Sequence, residues 1–142
     1  QDLAGAIDVY EKILAAEPRN VVALNNLAWI LAADPSTAER ALSLLAQAIR
    51  EVGLTGDLLD TRARIRITLK QFEQAERDLN DAIRAEPTAL RWFHLALSRL
   101  GQVPAKQDDA ARAFQEAKRR GLEPRSIHPA DLPAYSILDA KK

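Results

Sequence analysis

The sequence contains no cysteine, and it has only two histidines. The missing cysteine excludes disulfides, thiol nucleophiles and thiolate metal sites, and two histidines alone argue against a zinc site. No apolar run approaches the ~18 residues that cross a membrane as a helix, so we expect no membrane insertion. No signal peptide is visible, which favours a cytoplasmic location. Because the chain opens on Gln1 rather than Met, we expect that residues have been cut away before it.

The chain also lacks a dominant charge, since 20 lysines and arginines balance 20 aspartates and glutamates. A neutral chain has no global field that attracts nucleic acid or anionic lipid. Glycine and aromatic residues are scarce, whereas alanine and leucine are plentiful, which favours helices over sheets. At 142 residues the chain has room for one domain or for a short solenoid.

What the sequence does have is a repeated block. It contains four alanines that lie 35, 34 and 35 residues apart, namely Ala6, Ala41, Ala75 and Ala110. Four positions after each alanine comes a bulky apolar residue: Tyr10, Leu45, Leu79 and Phe114. Three positions further on come Ile13, Ala48, Ala82 and Ala117. A fixed period of this length is typical of stacked helical units rather than of one globular core.

Apolar spacing and helix-ending residues predict eight helices and no strand. We place the helices at 2–17, 21–33, 37–52, 56–70, 73–85, 89–100, 107–120 and 133–140. Asn20 and Thr88 are predicted N-caps, and Ser36 with Glu39 predicts a capping box. The alternating stretch 62–68 resembles a strand by itself, but the repeat period places it in the first helix of a unit.

The helix–turn–helix unit of 34 residues resembles the tetratricopeptide repeat (TPR), and the resemblance covers about residues 1–121. The first-helix motif of that family is Trp-x2-Leu-Gly-x2-Tyr. It is matched in two units by Leu24, Leu27, Ala28 and Leu31, and by Trp92, Leu95 and Ala96. In the third unit Leu59 and Ala63 fit the motif. Arg62 and Arg66 stand, however, where the family has Leu and Tyr. The resemblance implies an all-α solenoid with a right-handed superhelix, in which the small residue lets two helices cross closely.

By this register the chain holds three and a half repeats and a C-terminal cap. The repeats are 1–20 (a half repeat), 21–55, 56–88 and 89–121, and the cap segment is 122–142 with one short helix. The first helix of the first repeat is missing. An apolar stripe on the remaining helix is therefore predicted to be exposed: Leu3, Ile7, Tyr10 and Leu14. Such a stripe favours a partner protein or a homodimer formed through this helix.

The resemblance implies that the first helices of the repeats line a concave groove, which binds a peptide or a partner helix. The candidate binding residues at groove positions are Asn25, Asn26, Trp29, Asp60, Thr61, Arg64, Phe93, His94 and Leu97. One TPR binding mode clamps a terminal carboxylate with asparagines and cations. Asn26 fits that mode, but Asp57 and Thr61 stand where the cations are required, which argues against it.

Several of these residues fit a structural role as well. Trp29 is either a stacking anchor or a packing residue against the neighbouring repeat. Asn25 and Asn26 either bind the backbone of a guest or face solvent, and His94 is either a ligand contact or a structural histidine. His128 is predicted to be a helix N-cap or a turn residue.

Arg62 and Arg66 lie one helical turn apart, at positions where apolar residues are expected. Two interpretations stay open. Either their stems pack while their heads reach solvent or an acidic neighbour such as Glu51, or they form a polar docking site between repeats.

No nucleophile–base pair, glycine-rich phosphate loop or metal cluster is visible, so we expect no enzymatic activity and no cofactor. The leading hypothesis is a protein–protein interaction module that binds a peptide or a partner helix in the groove. The alternatives are a structural module that acts through self-association and an accessory domain of a larger multidomain protein.

Overall fold

A computed structural model gives the fold, and it describes residues 2–102 and 106–140. These residues form eight α-helices, two short 3-10 helices and no strand, which confirms the all-α prediction for the described ranges. The α-helices are Leu3–Ala16 (α1), Val21–Leu31 (α2), Ala38–Val52 (α3), Gly56–Thr68 (α4), Phe72–Ala85 (α5), Ala89–Gly101 (α6), Gln107–Arg119 (α7) and Leu132–Ala140 (α8). The 3-10 helices are Pro124–Ser126 and Pro129–Asp131.

Side-chain caps begin four of these α-helices, and the first is Asp2 before α1, whose carboxylate accepts a hydrogen bond of 2.9 Å from the N–H of Gly5. The Asn20 Oδ1 atom accepts a hydrogen bond of 3.0 Å from the N–H of Ala23 at the start of α2. The Thr88 hydroxyl accepts one of 3.3 Å from the N–H of Arg91 at the start of α6. Thr55 caps α4 in the same way. Such bonds satisfy N–H groups that have no partner within the helix, and the two predicted N-caps are confirmed.

The predicted capping box at Ser36 and Glu39 is wrong. The N-cap residue of α3 is Thr37, and its side chain makes no cap hydrogen bond. The Thr37 hydroxyl instead donates to the carbonyl oxygen of Leu31 at 2.7 Å. The N–H of Ser36 donates to the Asp34 carboxylate at 2.8 Å. The residues before α3 are therefore used to close the turn that follows α2.

The helices from α1 to α7 each pack on the next one along the chain. The even-numbered helices also contact each other, α2 with α4 and α4 with α6. These three helices therefore lie side by side, and we call the surface that they share the three-helix face. The odd-numbered helices α3, α5 and α7 pack on the even-numbered ones in turn.

Small residues allow this close packing. Ala28, Ala63 and Ala96, which match the small position of the first-helix motif, are each fully buried. Because an alanine adds only a methyl group, neighbouring helices can approach closely at these points. The apolar positions of the second to fourth repeated blocks are also buried: Ala41, Leu45, Ala48, Ala75, Leu79, Ala82, Ala110, Phe114 and Ala117.

The buried side chains form two clusters that meet at α4. The first cluster includes Leu24, Leu27, Leu45, Leu58 and Ile65. The second cluster includes Leu79, Phe93, Leu95, Phe114, Ile127 and Leu138. Helix α4 contributes Ile65 to the first cluster and Ala63 to the second. It is therefore packed on several sides, which explains why its sequence has no clear apolar stripe.

The apolar stripe on α1 is not exposed as predicted. Ile7, Tyr10 and Leu14 are partly buried and pack against the first cluster. The large apolar side chain of α1 that does face solvent is Val9, with 53% of its surface exposed.

In the described ranges we find no helix with both the length and the apolar character needed to traverse a lipid bilayer.

The two arginines at apolar positions of α4 are paired with Asp78 of α5. Arg62 binds the carboxylate through two nitrogens, at 2.9 and 2.7 Å. Arg66 reaches the same carboxylate at 2.6 Å. The predicted acidic neighbour Glu51 is wrong, because Glu51 accepts a hydrogen bond from Arg19 instead. The two arginines thus attach α4 to α5.

The segment 122–140, which we call the tail, follows α7. Gly121 turns the chain with a φ of +84°, a value that glycine adopts readily. Ile127 and Leu138 of the tail are buried in the second cluster. The His128 Nδ1 atom accepts a hydrogen bond of 3.2 Å from the backbone N–H two residues later, so the predicted capping role of His128 is confirmed.

Candidate protein-interaction face

Part of the three-helix face is open, near the N-terminal ends of α4 and α6. A pocket of about 300 Å³ lies there between α2, α4 and α6. Its lining residues are Asn25, Asn26, Trp29, Asp57, Asp60, Thr61 and Leu90. Five of the nine predicted binding residues therefore meet in one pocket.

Hydrogen bonds hold the polar side chains of this pocket in place. The Thr61 hydroxyl donates to the Asn25 amide oxygen at 2.7 Å. The Asn26 amide nitrogen donates to the Tyr10 hydroxyl at 3.1 Å. Each bond uses one end of an amide, so the other end is left as a donor on Asn25 and as an acceptor on Asn26. The free donor of Asn25 can pair with a peptide carbonyl, and the free acceptor of Asn26 can pair with a peptide N–H.

Two carboxylates give the pocket a negative side. The Asp57 carboxylate accepts a hydrogen bond of 2.5 Å from Arg91, whose guanidinium is buried. The Asp60 carboxylate lies 2.7 Å from the His94 Nδ1 atom. Both contacts join α4 to α6, and each uses a single carboxylate oxygen. The second oxygen of each carboxylate leaves acceptor capacity at the pocket.

A second pocket of about 280 Å³ adjoins the first at α1. Its lining residues are Leu3, Ala6, Tyr10, Asn26, Trp29 and Ile30. Asn26 and Trp29 line both pockets, which makes the two pockets one continuous surface. The apolar half of this surface lies at α1 and the polar half at α4.

The tail covers the other end of the three-helix face. Its His128 ring meets the Trp29 ring of α2 edge-on, with the ring centroids 5.1 Å apart. Its Asp131 carboxylate lies 2.9 Å from the Arg64 guanidinium of α4. Its Tyr135 ring lies 6.2 Å from the Phe93 ring of α6. The tail therefore contacts all three helices of the face.

Helix α7 also contacts the tail, through Phe114, which packs on Tyr135. The Tyr135 and Phe114 rings meet edge-on at 5.3 Å, a favourable arrangement for aromatic pairs. The Lys118 ammonium lies 2.7 Å from the Asp139 carboxylate, which attaches the far end of α8 to α7. The Lys118–Asp139 pair is half exposed and contributes little to stability.

The polar contacts under the tail are buried and incompletely satisfied. Burial lowers the pKa of Arg64, although Asp131 and Asp60 oppose that shift. Burial and the neighbouring Arg64 charge also lower the pKa of His128. A backbone hydrogen bond to Ile30 opposes the lowering of the His128 pKa. No hydrogen-bond partner is found in the described residues for Arg64 Nε. Asp131 Oδ2 is close to Arg64 but not aligned for a hydrogen bond, so this contact is an ion pair.

The remaining four predicted binding residues are buried and do not line an open surface. The side chains of Arg64 and Phe93 are 3% and 0% exposed, and the tail contacts both. His94 is buried beside Asp60, and Leu97 is buried in the second cluster. The expectation that all nine line one open groove is thus corrected, because the chain itself fills half of the face.

Other residues of the face were not predicted as binding residues. Tyr10 is predicted as part of the apolar stripe on α1 that favours a partner protein or a homodimer, yet its hydroxyl accepts the bond from Asn26. Asp131 and Tyr135 are predicted only as part of the C-terminal cap segment 122–142. A signal was present in their spacing of four residues, which places two side chains on the same side of a helical turn.

In the part of the chain that the structure describes, no three His, Asp or Glu side chains come together as metal ligands would. Comparisons of the chain with family models, with curated proteins and with solved structures gave no match. The candidate function therefore has to be argued from the face itself.

Proposed function

We propose that this protein is a TPR-like interaction module, which binds a peptide or a partner helix on the three-helix face. The observation that carries the proposal is that this face already holds a protein segment, the tail, while its other end has a pocket of about 300 Å³. A surface that holds one helical segment and continues into a pocket fits a second segment of the same kind.

The packing pattern supports a TPR-like solenoid as the architecture. In such a solenoid each unit adds one helix to an inner layer and one to an outer layer. The contacts of α2 with α4 and of α4 with α6 fit an inner layer. The fully buried Ala28, Ala63 and Ala96 lie at equivalent places in three successive units.

The chemistry of the open pocket supports an uncharged or basic peptide as the guest. Trp29 offers a large ring, and Asn25 and Asn26 offer amide groups for a peptide backbone. The Asp57 and Asp60 carboxylates disfavour an acidic guest at this end and favour a lysine or arginine side chain.

A peptide selection tests the proposal. Random peptides displayed on phage are selected on the whole protein, and the affinities of the selected peptides are then measured for three variants. We expect Trp29→Ala and Asn26→Ala each to weaken binding at least tenfold, since aromatic anchors carry much of the energy of an interface. Asn80→Ala, on the exposed surface of α5, is the matched control and should bind normally. Unchanged binding to both face variants would remove the face as the binding site.

Self-association is the alternative function, and light scattering separates it from the first. The partly buried stripe on α1 gives it less support than an exposed stripe would. A monomer at all concentrations between about 10 µM and about 1 mM is the outcome expected of a peptide-binding module. A stable dimer that Val9→Asp disrupts would favour assembly through α1 instead.

A further inference from the structure

The tail supplies a carboxylate to the buried arginine in the covered half of the three-helix face. With the tail in place the Arg64 guanidinium is only 3% exposed, and the Asp131 carboxylate is its ion-pair partner. Another segment that covered Arg64 without a carboxylate would bury this cation unpaired. A buried cation without an anionic partner is strongly unfavourable. This half of the face therefore selects a segment that brings a carboxylate to Arg64.

An aromatic ring is the second requirement. Phe93 and Phe114 present two ring surfaces, and the Tyr135 ring packs against both, at 6.2 and 5.3 Å. Asp131 ends the 3-10 helix Pro129–Asp131, and Tyr135, four residues later, lies in the first turn of α8. The face thus recognises a short helical segment with an acidic residue and, four positions later, an aromatic residue.

The residues before α8 include the buried Ile127 and His128, but the contacts that hold α8 itself are those of a replaceable segment. Within α8 only Leu138 is buried, whereas Leu132 and Ile137 are 37% and 56% exposed. Two polar atoms at the contact, Arg64 Nε and Asp131 Oδ2, make no hydrogen bond with the described residues. Unsatisfied buried groups weaken a contact. Regions with few buried side chains open at lower free energy than the rest of a protein.

We propose that the tail is a built-in ligand of the three-helix face, and that a partner protein binds this half of the face by displacing it with a helical segment that carries Asp or Glu followed four positions later by Tyr or Phe. This inference rests on the proposed interaction function and names its partner chemistry. The tail then controls access to Arg64 and Phe93, while the pocket at Asn26 and Trp29 stays open.

Binding of the tail sequence as a separate peptide tests the proposal. A fluorescently labelled peptide of residues 122–140 is titrated with the whole protein, either wild type or Asp131→Ala/Tyr135→Ala, and fluorescence anisotropy gives the affinity. We expect the double variant to bind the peptide at least tenfold more tightly than the wild type, because its own tail competes less. The matched control is Glu123→Ala/Ile137→Ala, which removes an exposed charge and an exposed apolar side chain from the tail.

A peptide with the same two alanines should not bind any of the proteins. Equal affinity of the double variant and the control, or no binding of the wild-type peptide to a double variant that circular dichroism shows to be folded, would overturn the proposal. A stable wild-type dimer that Asp131→Ala/Tyr135→Ala dissociates would overturn it as well, because the tail would then bind the face of a second copy of the chain.

Hydrogen exchange of the wild-type protein gives a test that needs no variant. We expect the amides of residues 132–140 to exchange at least tenfold faster than the buried amides of α4, through opening of the tail alone. Equal protection in both regions would show that the tail opens only when the whole protein unfolds, and the proposal would then fail. The interaction function is judged separately, since peptides selected at Trp29 and Asn26 bind without displacement of the tail.

Discussion

At the scale of single residues, one buried carboxylate determines how α4 meets α5. Asp78 is 4% exposed, and it pairs with both Arg62 and Arg66. Its hydrogen bonds raise the pKa of Arg62, whereas burial lowers the pKa of Arg66. Asp78→Ala leaves two partly buried cations without their partner. We expect this change to lower the free energy of unfolding by about 3 kcal/mol, measured by urea denaturation.

The control for this prediction replaces the whole group. In the triple variant Arg62→Leu/Arg66→Leu/Asp78→Leu no charge is left unpaired, and apolar side chains fill the contact. Replacement of a buried ionic group by apolar residues is often neutral or stabilising. We expect the triple variant to be at least as stable as the wild type. If Asp78→Ala alone were as stable as the wild type, the ion-pair argument would be wrong.

Glu76 is a residue whose charge should matter for acid stability. Burial favours a higher pKa, but hydrogen bonds from Gln102, Lys106 and Arg99 outweigh it and lower the pKa from 4.5 to about 2. A carboxyl group with a lowered pKa in the folded state stabilises the protein above its unfolded pKa. That contribution is lost as the pH falls from about 4.5 towards 2.

We expect the loss at Glu76 to be about 1 to 2 kcal/mol, because solvent partly screens the cluster. The measurement is the free energy of unfolding at pH values from 6 to about 2.5, for the wild type and for Glu76→Gln. The variant has no carboxyl group to titrate at this position, so its stability should fall less over the same interval. Parallel curves for the two proteins would contradict the assignment.

At the scale of the helices, the end of α6 depends on a glycine. Gly101 is the last residue of α6, and a β-carbon at this position would overlap the ring of Phe72 at the start of α5. The Ser98 hydroxyl also donates to the Phe72 carbonyl oxygen at 2.7 Å, so the start of α5 cannot move away freely. Gly101→Ala should therefore destabilise the protein by about 1 to 3 kcal/mol in thermal or urea unfolding.

A second substitution shows whether Gly101→Ala destabilises the protein through overlap with Phe72 or through the backbone of residue 101. Phe72→Leu removes the ring edge, so Gly101→Ala/Phe72→Leu should be more stable than the sum of the two single changes predicts. Additive effects of the two substitutions would place the cost in the backbone of Gly101 and not in its contact with Phe72.

Helix positions could be predicted from the sequence because local residues set them. Pro18 and Pro87 stop helices, and Asn20 and Thr88 begin the next ones, whatever the rest of the chain does. The predicted boundaries accordingly lie close to the observed ones. The capping box at Ser36 failed because the turn after α2 uses the same residues for other hydrogen bonds.

The contacts between distant parts of the chain could not be predicted in this way. The partner of Arg62 and Arg66 lies on α5, and no sequence period identifies Asp78 as that partner. The same holds for the face. The repeat register placed Asn26 and Trp29 on it, but the fit of a tail without a repeat onto Arg64 depends on packing that only the folded chain defines.

At the scale of the whole molecule, acid should act on the tail before it acts on the helices. His128 lies between Trp29 of α2 and Arg64 of α4, and the charges of His94 on α6 and Asp131 in the tail also act on it. Burial, Arg64 and His94 lower its pKa below the ordinary 6.5, against smaller opposing effects of Asp131 and of a backbone hydrogen bond to Ile30. A released tail therefore takes up a proton more readily than a bound tail does.

It follows that binding of the tail weakens as the pH falls through about 6.5, by at most about tenfold per pH unit. The fluorescence of Trp29, recorded in a Trp92→Phe background between pH 7.5 and about 5, reports the loss of its contact with His128. In this interval the Glu76 cluster stays ionised, since its pKa is about 2, so the helices should keep their circular dichroism signal. His128→Asn keeps a side chain that can cap the 3-10 helix but does not titrate, and it should abolish the change. The same fluorescence change in His128→Asn would show that another group, and not His128, makes the tail sensitive to acid.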